Sequence, residues 1–201
     1  MKVIGITGAV GSGKSTVAKE LSKRYHMKLI MADELGHLAY KKDSAVYPDL
    51  CRLVGSFCME ENGEINRKKV AQWAYGKSEH LQKLNALIHP FVKEQIRQRI
   101  HDAKPEYDCV LLESAILIEN GYEDVCDEFW YVYVTEDNRR KRLKESRGLT
   151  EEQIQGILSN QKDDAFFRKY CRCIIDNNAS IEEAVASIPK DHLPSLPDEQ
   201  K

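Results

Sequence analysis

The chain has 201 residues, 42% hydrophobic and 31% charged, enough for one large domain or for a core domain carrying an inserted lobe. Its formal net charge of −2 gives no electrostatic pull toward nucleic acid or an anionic membrane, so neither is expected as a partner. No apolar run approaches a membrane span, and the first strand pattern starts at Lys2 without room for a signal peptide; a cytoplasmic protein is expected.

Val3, Ile4 and Ile6 predict a buried first strand, and Val17, Ala18, Leu21 and Tyr25 recur at helical spacing after it. Between them lies "GITGAVGSGKST", in which Gly8 and Gly13 to Ser15 complete the pattern GxxxxGK[ST]. Gly8, Gly11 and Gly13 permit positive φ and a close backbone approach, so successive N–H groups converge on phosphate oxygens at a helix N-terminus. Lys14 then reaches the β and γ phosphates, and the Ser15 hydroxyl ligates Mg²⁺. ATP or GTP is the expected ligand. The alternative is a glycine turn without a ligand, and the flanking strand and helix speak against it.

"MKLIM" (Met27 to Met31) predicts a second strand, ending in Ala32, Asp33 and Glu34. From there to about Lys104 the pattern turns helical: Leu50, Leu53, Val54 and Phe57 predict a helix over Tyr47 to Met59, with Cys51 and Cys58 on one face. Ser78 is expected to cap "EHLQKLNALI", and Pro90 to interrupt or restart a helix. Strands resume with "DCVLLE" (Asp108 to Glu113), "FWYVYV" (Phe129 to Val134) and "CIID" (Cys173 to Asp176), each followed by a helix-forming segment. Thr150 with Gln153, and Ser180 with Glu183, form capping boxes. Strands alternating with helices mean an α/β fold, a parallel five-stranded sheet covered on both faces, with an inserted helical lobe. The six cysteines lack CxxC spacing and read as small core residues, and the last stretch, "HLPSLPDEQK", reads as a frayed tail.

In a parallel sheet the ligand sits outside the carboxyl ends of the strands, where Asp33, Glu113 and Asp176 fall. Asp33 is a candidate to face an acceptor hydroxyl, or else it caps the helix "ELGHLAY". Glu113 sits where a carboxylate supports Mg²⁺ or its waters, or else it is a strand-end charge; Asp176 reads as a turn residue with Asn177 and Asn178. The segment "EDNRRKRLKESRG" (Glu136 to Gly148) holds six basic residues. Arg142 and Arg147 are candidates to neutralise a transferring phosphoryl group, and the remaining basic side chains read as a solvated helix with i,i+4 pairs.

Taken together, the motifs resemble the dephospho-CoA kinase family across nearly the whole chain. They are the loop Gly8 to Thr16, Asp33 in "MAD", "LNALIHP" (Leu84 to Pro90), "AILIENG" (Ala115 to Gly121), "NRRKRLKESRGLT" (Asn138 to Thr150), Gln161 and "IIDNN" (Ile174 to Asn178). The resemblance implies a P-loop kinase fold and transfer of the ATP γ-phosphoryl group to the ribose 3′-hydroxyl of dephospho-CoA, with Mg²⁺ as cofactor. It implies Gly11, Ser12, Gly13, Lys14, Ser15 and Thr16 as the nucleotide loop, with Arg147 also on the nucleotide, and Ser15 and Glu113 at the metal. Asp33 would orient or deprotonate the hydroxyl, Lys14 and Arg142 would act on the phosphates, and His89 and Glu119 would lie in the acceptor region. The implied organisation is one domain over 1–192: a core (1–33 and 106–192), an acceptor-binding lobe (about 34–105) and a lid (about 136–150), then a tail over 193–201. Met31, Ala115, Cys171 and Arg172 depart from the family pattern and bear on acceptor fit and adenine contacts. The rivals are another small-molecule or nucleoside-monophosphate kinase, which should lack "LNALIHP", and a non-catalytic nucleotide-binding paralogue, against which Lys14 and Asp33 weigh.

Overall fold

Every apolar run expected as a strand forms one. In the computed structural model, which describes residues 1–194, β1 (Lys2–Thr7), β2 (Lys28–Met31), β3 (Cys109–Glu113), β4 (Glu128–Tyr133) and β5 (Cys173–Asp176) make one parallel sheet in the order β2-β3-β1-β4-β5. β1 is central, with Ile6 level with Glu113 on one side and with Trp130 on the other, while Met31 of β2 also comes level with Glu113. The chain runs first to one side of β1 and then to the other, which leaves the loop after β1 at the carboxyl edge where such sheets bind ligands.

Among the described residues the helices are α1 (Lys14–Arg24), α2 (Ala32–Leu38), α3 (Tyr47–Val54), α4 (Arg67–Ala74), α5 (Ser78–Ala103), α6 (Glu136–Arg147), α7 (Glu151–Ser159), α8 (Asp164–Tyr170) and α9 (Ile181–Ala186). The chain divides into two compact units, one of residues 1–31 with the described residues from 103 onward, the other of residues 32–102. No helix among the described residues is long and apolar enough to cross a membrane.

In the sheet unit, Ile4, Ile6, Leu111, Trp130, Val132 and Ile175 turn one face onto Val17, Ala18 and Leu21 of α1 and Ala184 and Val185 of α9. Burying side chains of this size contributes about 1.5–3 kcal/mol each, which is why the helix period of α1 and the strand period of β1 meet on this face. On the other face Tyr131 stacks on Phe167 of α8, with ring centroids 4.7 Å apart. Gly5 is small there because a Cβ would come 2.6 Å from the Phe129 ring. Leu193, expected as the first residue of the tail, packs against the first of these faces, and residues 195–201 of that expected tail lie outside the described residues.

The unit of residues 32–102 has its own core, in which Leu50, Val54, Cys58, Ile65, Val70 and Leu84 are buried together. Three expectations need correction here. The helix from Tyr47 stops at Val54 because Gly55 takes φ 69°, and a single tight turn follows at Ser56–Cys58; Phe57, expected on the buried face, is 64% exposed, and Cys51 and Cys58 fall in different elements. α5 runs unbroken through Pro90. A proline inside a helix costs about 3 kcal/mol, and burial of Leu84 before it with Val92 and Ile96 after it offsets that cost. Ser78 is the first helical residue rather than the cap, since the Leu81 N–H donates to the Lys77 carbonyl. Elsewhere the caps follow the sequence closely. Thr150 and Gln153 exchange both bonds of a capping box, whereas Ser180 accepts from the Glu183 N–H but gives its own hydroxyl, not its N–H, to the Glu183 carboxylate. Cys58, Cys109, Cys126, Cys171 and Cys173 are buried and Cys51 is half-buried; burial pushes the Cys109 and Cys173 thiols up to about 11 and that of Cys171 to about 12.

Glu128 is buried at the amino end of β4. Its carboxylate accepts from the Trp130 indole N–H at 2.7 Å, with Lys2 at 3.1 Å, Arg172 at 3.5 Å and His192 Nδ1 at 3.7 Å around it, so one of the departures from the family pattern serves this cluster. Burial alone would raise this carboxyl; the indole bond and the two cations outweigh it and hold it below the usual range. A depressed carboxyl contributes stability above its unfolded value, about pH 4.3, and loses it as pH falls through the lower folded value. Lys2 and Arg172 reach it from solvent and are screened, which leaves the buried indole bond as the main support. Glu128→Gln is therefore expected to cost about 1–3 kcal/mol at pH 7, with the difference in melting temperature from the parent protein closing below about pH 4. A pH-independent difference would assign the effect to packing.

Candidate nucleotide site

The site begins where β1 runs out. After Thr7 the backbone turns tightly, with the Ser12 N–H donating to the Ala9 carbonyl at 3.1 Å, and then enters α1 at Gly13, whose carbonyl accepts from Thr16 and Val17. Gly13 has φ 79° and ψ 17°, the left-handed region open to glycine, and a Cβ there would lie 2.6 Å from Asn177 Nδ2. A Cβ on Gly8 would lie 2.7 Å from the Val132 carbonyl oxygen. The glycines thus admit neighbouring chain as well as bending their own. Neither the Gly11 nor the Gly13 N–H has an acceptor among the described residues, and the Thr7 and Ser12 hydroxyls are buried without partners. Buried polar groups without partners cost about 1–3 kcal/mol each, and a set gathered on one loop marks a place for an anionic ligand.

Lys14, in the first turn of α1, holds its ammonium 3.7 Å from the Glu113 carboxylate, which is 1% exposed at the carboxyl end of β3. Ser15 follows on α1. One buried carboxylate, one hydroxyl and a ligand's phosphate oxygens are a donor set for a hard cation such as Mg²⁺, which keeps several waters; no group of three His, Cys, Asp or Glu among the described residues is arranged to hold a metal by itself.

From α6, Arg142 donates to the Asn177 carbonyl at 2.7 Å and to the Ser12 carbonyl at 3.4 Å, and Asn177 Nδ2 donates to the same Ser12 oxygen at 2.7 Å. Asn178, the second of the "DNN" asparagines, accepts from Thr135 N–H and from the Asn138 side chain and so fixes the start of α6. The basic segment divides as its charges require: Arg140 pairs with the exposed Glu136 and Glu151, while Arg139 and Arg142 face the loop. Arg147, the last residue of α6, is exposed, and so is Thr16.

Glu119 is exposed and lines a cavity of about 250 Å³ with Lys162, Phe166 and Tyr170. Asp33 is exposed in the first turn of α2, which begins at Ala32, so it is not the cap of that helix. His89 is half-buried in α5, and burial lowers its imidazole below the ordinary value. Asp176 accepts from the backbone and side chain of Asn178, the turn role read from the sequence. Cys171 and Arg172 precede β5 at the amino edge of the sheet, the edge away from the phosphate loop, where the Arg172 N–H donates to the Phe129 carbonyl. Arg139, Gln161 and Asn177 carry contacts to the loop that sequence spacing did not signal, since each acts across more than 120 residues of chain.

Comparison with known proteins identifies the family and the fold. The family model for dephospho-CoA kinase matches residues 2–183. A curated dephospho-CoA kinase of Dehalococcoides mccartyi is 31% identical over 184 residues, covering 91% of this chain and 92% of that protein. A solved protein of Thermus thermophilus superposes with TM-score 0.78 at 27% identity, covering 92% of each chain. The dephospho-CoA kinase of Campylobacter jejuni, at 19% identity and TM-score 0.61, shares the fold over 92% of this chain and 94% of that one.

Proposed function

Because the chain belongs to the dephospho-CoA kinase family, we propose that it transfers the γ-phosphoryl group of ATP to the ribose 3′-hydroxyl of dephospho-CoA, giving coenzyme A and ADP in the cytoplasm. The observation that carries this reading is the Lys14 ammonium, set beside buried Glu113 at the foot of a glycine loop in which the Gly11 and Gly13 N–H groups have no acceptor among the described residues.

In the reaction the bond from O3′ to Pγ forms, the bond from Pγ to the β,γ-bridging oxygen breaks, and the hydroxyl proton leaves to a base. Gly11, Ser12, Gly13, Lys14, Ser15 and Thr16 hold the triphosphate, with the Lys14 charge on the β and γ oxygens. Ser15 and Glu113 would hold Mg²⁺, which would supply positive charge to offset that of the phosphates. Arg142 lies against the loop and would meet charge that spreads on the transferring group; Arg147 would approach the nucleotide as the lid segment 136–150 closes. Asp33 orients the 3′-hydroxyl and accepts its proton. His89 and Glu119 would contact the acceptor.

The test is turnover with ATP and Mg²⁺ against a panel of dephospho-CoA, AMP, CMP and pantetheine phosphate. Dephospho-CoA is expected to be strongly preferred. Turnover of a nucleoside monophosphate alone would reassign the acceptor, and ATP binding without any turnover would make the protein a nucleotide-binding paralogue.

A further inference from the structure

Val10 sits at the crown of the phosphate loop with both of its backbone groups taken by distant side chains. Its carbonyl accepts from Arg139 Nε at 3.2 Å, and its N–H donates to Gln161 Oε1 at 3.3 Å. The same Gln161 oxygen accepts from Arg139 Nη2 at 2.6 Å, so the two side chains close a ring around one residue. The next peptide plane carries the consequence. A trans peptide points its C=O and the following N–H in opposite directions, so fixing the Val10 carbonyl on Arg139 directs the Gly11 N–H away from Arg139. That N–H has no acceptor among the described residues. Gly11 itself, at φ 84°, lies against α6, where a Cβ would come 3.1 Å from Leu143 Cγ and 3.4 Å from the Arg139 carbonyl oxygen.

Arg139 is an uncommon residue for this place. It is half-buried, burial lowers its guanidinium from the ordinary value, and no carboxylate lies within ion-pair distance of it among the described residues; its acceptors are both neutral. A half-buried cation whose direct acceptors are neutral, with Glu136 acting on it only at longer range, is costly unless it serves a fixed geometry or a bound anion.

We infer that Arg139 and Gln161 are positioning residues of the nucleotide site, which act through the Val10–Gly11 peptide to aim the Gly11 N–H at the phosphates of the bound nucleotide. The inference rests on the nucleotide reading of the loop. Neither side chain needs to touch the reacting atoms, and the effect falls on nucleotide affinity and phosphate alignment rather than on the acceptor.

The experiment uses the full chain with Gln161→Leu, which keeps most of the side-chain volume and removes the acceptor, and Gln161→Glu, which keeps an acceptor for both donors. ATP and ADP binding are measured by calorimetry, with KM for ATP, KM for dephospho-CoA and melting temperature on the same preparations. Gln161→Leu is expected to weaken ATP binding about tenfold and raise KM for ATP in step, with KM for dephospho-CoA within about twofold of the parent. Gln161→Glu is expected to stay within about threefold of the parent for ATP. Equal losses in both KM values together with a lower melting temperature would overturn the inference in favour of a purely structural contact, as would unchanged ATP binding in Gln161→Leu. Arg139→Lys keeps the charge but not the fork, and a full parental ATP affinity there would also count against it. If the parent protein binds neither ATP nor ADP, the nucleotide reading itself fails, a result distinct from either of these.

Discussion

Lys14→Ala is expected to reduce kcat/KM by about 10³-fold or more and to lower the melting temperature as well. Two effects coincide at this side chain. Toward the ligand, its ammonium is the positive charge that meets the β and γ phosphates in a largely dehydrated pocket, where a charge is worth several times its value in water. Toward the protein, it stands 3.7 Å from Glu113, a carboxylate 1% exposed. Removing the cation takes a charge partner from that buried carboxylate, at a cost on the order of 1–3 kcal/mol. The double variant Lys14→Ala with Glu113→Gln separates the two, because neutralising the carboxylate removes the stability defect and cannot restore the charge on the phosphates. Recovery of melting temperature without recovery of turnover is the expected result. A folded Lys14→Ala protein with parental activity would contradict the nucleotide site.

Asp33→Asn is expected to lower kcat by about 10²-fold or more while ATP affinity stays near the parental value. The carboxylate lies in the first turn of α2 beside Glu34, where a negative charge also favours the helix N-terminus. If that were its whole role, the amide would cost about 0.3–1 kcal/mol of stability and leave turnover alone. If it takes the proton of the ribose hydroxyl, the amide cannot replace it, and the loss appears in kcat. Melting temperature, ATP binding and kcat on this one variant distinguish the two roles. An Asp33→Asn enzyme that binds ATP and turns over at the parental rate would remove Asp33 from the mechanism.

Much of this protein is legible in the chain because the rules that govern it are short-ranged. Short β-branched and aromatic runs such as "CVLLE" and "FWYVYV" bounded by turn residues read as buried strands of a parallel sheet, and "GAVGSGKS" between such a run and an amphipathic helix reads as a glycine loop at a helix N-terminus. Thr150 with Gln153 marked a helix start because a capping box closes within four residues. Local rules also misled where tertiary burial outweighed them: Pro90 did not break α5, because apolar contacts on both sides of it offset one missing hydrogen bond. Gly55 did the opposite, ending a helix that hydrophobic spacing would have continued.

What only the tertiary structure decided is which side chains hold the phosphate loop. Arg139 reaches Val10 across 129 residues of chain, Gln161 across 151, and Asn177 reaches Ser12 across 165. No spacing encodes these bonds, since they depend on β1 lying beside β4, and β4 beside β5, with α6 laid against the loop. Composition told that Glu136 to Gly148 was basic, yet the sheet order decided that Arg139 and Arg142 face the loop while Arg140 pairs with Glu136 and Glu151. The physical reason is that helix and strand periods sort residues onto faces, whereas what each face meets is set by the packing of elements far apart in the chain.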